Sequence, residues 1–241
     1  MKTLTPADYE ELRRGARVLA ADRHGEKVLL RPDGRIIKLF RRKRLLSSAL
    51  FFPYATRFER AASELTARGF RTVTVSLAAR IPSIGRDAVV YVMLPGVSLR
   101  QALLDDPKRR DPLMNQWIVL LARLHAAGVY FRATHLANII VPDDGGELAI
   151  IDVSEARCRR GPLSPALRAR NFRPLVKYKE DVDAMRSFGA ARFVAAYLQA
   201  ASLEASPQRA FLARLARIDP IFAELPGPGE ITSPASGQSP S

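Results

Sequence analysis

Between Trp117 and Arg157 the chain reads WIVLLARLHAAGVYFRATHLANIIVPDDGGELAIIDVSEAR, an order of local signals that few folds accommodate. Trp117, Leu120, Leu121 and Leu124 recur at helical spacing, and Gly128 stops the helix. After a tight loop comes a short apolar run, Asn138-Ile139-Ile140-Val141. Pro142-Asp143-Asp144-Gly145-Gly146 supplies a hairpin turn, and Leu148-Ala149-Ile150-Ile151 is the return strand. Asn138 enters one strand of the hairpin and Asp152 leaves the other, so their side chains are expected to converge. An amide oxygen and a carboxylate at one point form a hard-oxygen site suited to Mg²⁺.

The elements before this stretch read mainly as strands. A short helix over 7–14 is capped by Thr5, with Pro6 at its first position. Strands follow at Arg17 to Ala21, Lys27 to Leu30 and Arg35 to Phe40, the last two separated by the turn Arg31-Pro32-Asp33-Gly34. Phe58, Ala61, Ala62 and Leu65 form the apolar stripe of a helix from Thr56 to Arg68. That periodicity leaves Glu59 and Glu64 on opposite flanks of the stripe and does not choose between them. Phe70 to Leu77 and Ala88 to Leu94 are expected as two more strands, and Pro95-Gly96 breaks the chain. Ser98 with Gln101 resembles a capping box at the start of the next helix. Farther on, a helix carries Phe188, Ala191, Val194, Ala195 and Leu198, and another spans about Gln208 to Arg217. Strands with one intervening helix, then mostly helices, is the order of an α+β fold. The tail from Pro226 is rich in Pro, Ser and Gly, and 226–241 is expected to be disordered.

Charge narrows the partners. The 241 residues carry 38 Lys and Arg against 24 Asp and Glu, a net charge of +14. Such an excess favours anionic partners: nucleic acid, acidic lipid or a phosphate-rich substrate. No zinc finger, RNA-binding signature or aromatic-interleaved basic run appears, which disfavours nucleic acid. The run Arg41-Arg42-Lys43-Arg44, next to Leu45-Leu46 and Ala49-Leu50-Phe51-Phe52, suits either an anionic membrane surface or a helix packed on the sheet with its charges solvated. Beyond Asp152 come Arg157, Arg159, Arg160, Arg168, Arg170 and Arg173, residues suited to phosphate or carboxylate contacts. One cysteine, Cys158, excludes a disulfide scaffold or a multi-cysteine metal site. The start, MKTLTPADYEELRRG, is too polar for a signal peptide, so a cytoplasmic protein is expected, with peripheral association at the inner membrane.

The series Phe131-Arg132-Ala133, Asn138 and Asp152-Val153-Ser154 resembles the catalytic loop and metal-binding Asp of protein-kinase-like enzymes. Within that superfamily, YFRATHLANIIV is most similar to the lipopolysaccharide-kinase branch, which includes proteins called toluene-tolerance or Kdo-kinase-like. The resemblance covers roughly residues 16 to 185. It implies a single bilobal domain, with a small antiparallel-sheet N-lobe over about 1–95 and a mainly helical C-lobe over about 96–225. It also implies ATP and Mg²⁺ as cofactors. Lys38, flanked by apolar residues on its strand, would hold the α/β-phosphates, and Asn138 and Asp152 would hold Mg²⁺. The resemblance favours Glu59 over Glu64 as the partner that orients Lys38.

The departure from the family is Ala133, which stands where the catalytic Asp belongs. Arg132 completes the motif but stays protonated and is no base. His135 occupies a position where many kinases carry a Lys or His that reaches the transferred phosphate, and its ionisation range permits that role or a structural one. His125, on the helix, is expected in the core, and His24, in a hairpin turn, in solvent. The implied activity is ATP-dependent phosphorylation of a sugar hydroxyl on lipopolysaccharide or a related anionic envelope glycan. The alternative is a pseudokinase, a nucleotide-binding or scaffolding module of envelope biogenesis. A protein kinase is disfavoured by the short Arg-rich segment after Asp152.

Overall fold

The computed structural model of the chain describes residues 1–42 and 53–223. Its elements run β1 (Lys2–Thr3), α1 (Pro6–Arg13), β2 (Arg17–Asp22), β3 (Gly25–Leu30), β4 (Arg35–Arg41), α2 (Tyr54–Ala67), β5 (Val75–Ile81), β6 (Arg86–Val92) and β7 (Gly96–Ser98). Next come α3 (Leu99–Asp105), α4 (Arg110–Ala126), β8 (Val129–Phe131), β9 (Ile139–Pro142), β10 (Ala149–Ile150) and β11 (Ala156–Cys158). The chain continues through α5 (Pro165–Arg170), α6 (Lys179–Phe188), α7 (Ala190–Ala201) and α8 (Ala205–Leu215). The fold is mixed α+β, with a six-stranded sheet and eight helices among the described residues. Lys43 and Arg44 of the basic run, their apolar neighbours and the Pro/Ser/Gly-rich tail lie outside the described residues.

The contacts divide the chain into two compact units. The first comprises Met1–Val97 and Ile140–Cys158, and the second Ser98–Ile139 with the described residues from Arg159 onward. The first unit thus takes in a hairpin that the sequence reading placed in the second part of the chain. Two bonds account for it: Thr72 Oγ1 donates to the Ile150 carbonyl at 2.7 Å, and Ile150 N donates to the Arg71 carbonyl at 2.9 Å. Arg71 also forms an ion pair with Asp144 in the hairpin turn at 2.7 Å. These ties hold residues around Thr72 away from the main sheet, so β5 begins at Val75 rather than at Phe70. Gly96 lies at φ +134°, and a Cβ there would strike the Val141 carbonyl oxygen, so only glycine lets β7 approach β9.

The sheet order of the first unit is β1-β5-β6-β4-β3-β2. Its strands are antiparallel neighbours except β1, which runs parallel to β5. Strand alternation in β4 decides two faces. Ile37 and Leu39 turn toward a core with Leu4, Tyr9, Leu29, Ala79 and Val90. Lys38 and Phe40 point the other way, toward α2, where the Phe40 and Phe58 rings lie 6.0 Å apart. The second unit is helical. There α4 packs on α7 and α5 on α8 around Trp117, Phe172, Phe193, Tyr197 and Phe211, all fully buried. The expected helix through Phe188 to Leu198 is two helices, because Gly189 at φ +94° breaks the ladder between α6 and α7.

Candidate functional site

In the first unit the strands bring Lys38 to Asp152. Lys38 Nζ lies 2.7 Å from Asp152 Oδ1, and the lysine side chain is 17% exposed against 40% for the aspartate. Lys38 Nζ also sits 5.8 Å from the centroids of Phe40 and Phe58, rings that supply both apolar packing for its stem and a weak cation–π attraction. Asp152 follows β10 in the left-handed conformation, φ 56° and ψ 47°. That conformation costs an ordinary L-residue roughly 1–2 kcal/mol, less for Asp, and such strain concentrates at functional positions. The turn Val153–Glu155 after it packs against α2, and Ser154 Oγ donates to Asp152 Oδ1 at 3.5 Å. Behind the pair, burial raises the Tyr91 hydroxyl pKa well above its ordinary value, and the Asp152 charge adds to the effect.

The expected pairing of Lys38 with Glu59 does not occur. The face of α2 that meets the sheet is Ala55, Phe58, Ala61, Ala62 and Leu65, and Glu59 projects into solvent. Glu64 is engaged as well: Arg60 bonds it at 2.7 Å and Arg68 approaches to 3.7 Å. The Arg60 hydrogen bond lowers its carboxyl pKa. Beside it, burial and a hydrogen bond to Glu64 push the Cys158 thiol up to about 11, so this cysteine is no ready nucleophile. At the β2–β3 turn His24 is exposed, with its ring nitrogen 2.9 Å from Arg41.

The second unit holds the loop from Phe131 to Asn138. Asn138 Nδ2 donates to the Ala133 carbonyl at 3.1 Å and to His135 Nε2 at 2.9 Å. With its amide hydrogens used inside the loop, Oδ1 is the atom Asn138 can offer to a cation. His135, whose Nε2 accepts from Asn138, stacks edge-on against Tyr178 at 5.1 Å. Arg132 is exposed.

Two residues that the sequence reading passed over hold this loop. Asp181, 1% exposed, accepts from Leu136 N at 3.1 Å and pairs with Arg100 at 2.8 Å. Asn171 donates to the Phe131 carbonyl and to Thr134 Oγ1, while Thr134 Oγ1 donates back to the Asn171 carbonyl. Both come from distant segments with no local motif. The only signal available was an aspartate among the apolar positions of α6. His125 is fully buried, as its place on α4 implied. The Asn171 amide hydrogens go to Phe131 and Thr134, so His125 Nε2–H donates to Asn171 Oδ1, and in the neutral ring Nδ1 accepts from the Tyr197 hydroxyl. Arg168 belongs to this core too: it is 4% exposed and donates to the Leu163 carbonyl and Tyr197 Oη, so it is not an anion contact.

Among the described residues no group of three or more His, Cys, Asp or Glu could cage a metal. Asp152 in the first unit and Asn138 in the second each carry an oxygen of the kind Mg²⁺ takes. No known family model and no curated protein matches the chain. Among the described residues no helix is long and apolar enough to cross a membrane.

Proposed function

We propose that the chain is an ATP-dependent, Mg²⁺-dependent phosphotransferase of bilobal protein-kinase-like fold, acting on a sugar hydroxyl of lipopolysaccharide or another anionic envelope glycan. The observation that carries the reading is the Lys38–Asp152 pair, a half-buried ammonium 2.7 Å from a carboxylate held in a left-handed backbone conformation. Lys38 would hold the α/β-phosphates, a role its aromatic packing and partial burial favour by keeping the ammonium extended in one direction. Asp152 and Asn138 would hold Mg²⁺, which supplies charge neutralisation at the phosphates when bound. The transfer breaks the bond from the γ-phosphorus to the bridging oxygen and forms one to the acceptor oxygen, whose proton must leave. Ala133 offers no carboxylate for it. His135 Nε2 is the candidate acceptor, once it gives up the hydrogen bond from Asn138. The basic surface suits an anionic acceptor and contact with the cytoplasmic face of an anionic inner membrane.

That same hydrogen bond favours a second reading. An imidazole already engaged by Asn138, beside an alanine at the base position, is also what a pseudokinase of envelope biogenesis would carry. One experiment separates the two: Mg²⁺-dependent ATP binding by the full chain, followed by phosphate transfer from labelled ATP onto purified core oligosaccharide. Binding with transfer supports the enzyme, binding without transfer the nucleotide-binding pseudokinase, and absence of ATP binding leaves only the scaffolding module.

A further inference from the structure

In the second unit, the C-terminal ends of α5 and α8 border a cleft of about 350 Å³. Every charged residue lining it is an arginine: Arg170 and Arg173 from the end of α5 and the turn after it, Arg214 and Arg217 from the end of α8 and the turn after it. Ala166, Ala169 and Ile218 complete the lining. All four arginines are exposed, and among the described residues none makes an ion pair; Arg214 donates to the Ala210 carbonyl at 2.9 Å. The nearest carboxylate along the chain, Asp219, accepts instead from Ile221 N.

Cations at helix C-termini answer the helix dipole, which amounts to about −0.5 charge per helix end. Two helix ends therefore account for about one of the four positive charges. Roughly three remain around one small space with no counter-charge among the described residues, an arrangement that an anion would complete. Guanidinium forks match phosphate oxygens two at a time, so two pairs of arginines match two phosphate groups. The volume sits at the small end of ligand pockets, roughly 300–1,000 Å³. No aromatic side chain lines the cleft, so it offers no platform for stacking nucleic-acid bases.

We propose that the cleft between α5 and α8 binds a compact polyanion carrying at least two phosphate groups, as a phosphorylated sugar or a lipid headgroup presents them. The site shares no residue with the proposed phosphotransferase centre and stands independently of it. Titration calorimetry of the full chain, without metal, tests it with inorganic pyrophosphate against inorganic orthophosphate. Pyrophosphate should bind one to one and about 10-fold or more tighter than orthophosphate. The double variant Arg170→Gln/Arg214→Gln should weaken pyrophosphate about 10-fold or more, with its thermal melt unchanged, while Arg35→Gln in the other unit leaves binding as it was. Lys38→Met should also leave it unchanged, which separates this site from the ATP centre. Sedimentation with phosphatidylcholine vesicles carrying phosphatidylinositol 4,5-bisphosphate distinguishes the source. Binding beyond that to phosphatidylserine vesicles of equal charge, lost in the double variant, assigns the site to a headgroup. Equal sedimentation with both vesicles, alongside pyrophosphate binding, assigns it to a soluble ester. The proposal is overturned if pyrophosphate binds no tighter than orthophosphate, if the double variant binds as the parent does, or if Lys38→Met abolishes binding.

Discussion

His125 shows most directly how folding sets the state of a single residue. Burial pushes its pKa from 6.5 down to about 3, against a smaller raising effect from Asn171. The folded ring stays neutral while the unfolded one takes up a proton below about pH 6.5, so this contribution is full above that pH and is lost as pH falls. The loss is at most about 1.4 kcal/mol per pH unit. In the unfolded chain the carboxylates titrate near pH 4, so urea unfolding between pH 5 and 6.5 reads chiefly the imidazole. In that window His125→Gln should flatten the slope. His135 carries the catalytic question. If it takes the acceptor proton, His135→Ala lowers transfer by ~10²-fold or more with ATP binding nearly unchanged. Ala133→Asp then helps little. A large gain from Ala133→Asp with no loss from His135→Ala would instead mark a degenerate kinase.

At the level of elements, the loop from Phe131 to Asn138 depends on partners far along the chain. Asp181→Ala would leave the Arg100 guanidinium, whose side chain is 22% exposed, without its carboxylate and the Leu136 N–H without an acceptor. Breaking such a buried pair costs about 3 kcal/mol. Asp181→Asn keeps an acceptor for Leu136 and should cost less. Urea unfolding measures both, and amide exchange at Leu136 should accelerate most in the alanine variant; an unchanged Leu136 amide would remove Asp181 from its role as the loop's anchor. Much of the element order was legible beforehand. The alternation in Arg35 to Phe40, the helical stripe of α2 and the Gly128 stop each follow from one periodicity or one backbone requirement. The start of β5, the strands β1 and β7 and the break at Gly189 were not legible, because long-range bonds and one glycine dihedral decide them.

For the molecule as a whole, the decisive measurement is a thermal shift with Mg·ATP. At 100 times its Kd, a ligand bound only by the folded chain stabilises by about 2.7 kcal/mol, or about 5–10 °C for a chain of this size. Lys38→Met or Asp152→Asn should erase the shift. Glu59→Ala should leave it, since Glu59 stands in solvent away from the lysine. No shift in the wild type at millimolar Mg·ATP would retire the enzyme and leave the scaffolding module.

Local pattern singled out Asn138 and Asp152, because hairpin register and turn chemistry are properties of short segments, and the resemblance to protein-kinase-like enzymes added Lys38. It also placed His125 in the core, since an apolar helical stripe carries its own burial. What local pattern could not reach was which charge meets which. Lys38 pairs with Asp152 rather than with Glu59, and Arg168 supports Tyr197 while Arg170 and Arg173 border a cleft with Arg214 and Arg217. Each of those outcomes depends on side chains brought together from segments far apart along the chain. Ion pairs act over a few ångströms, so partners are chosen only once the tertiary packing has set the distances.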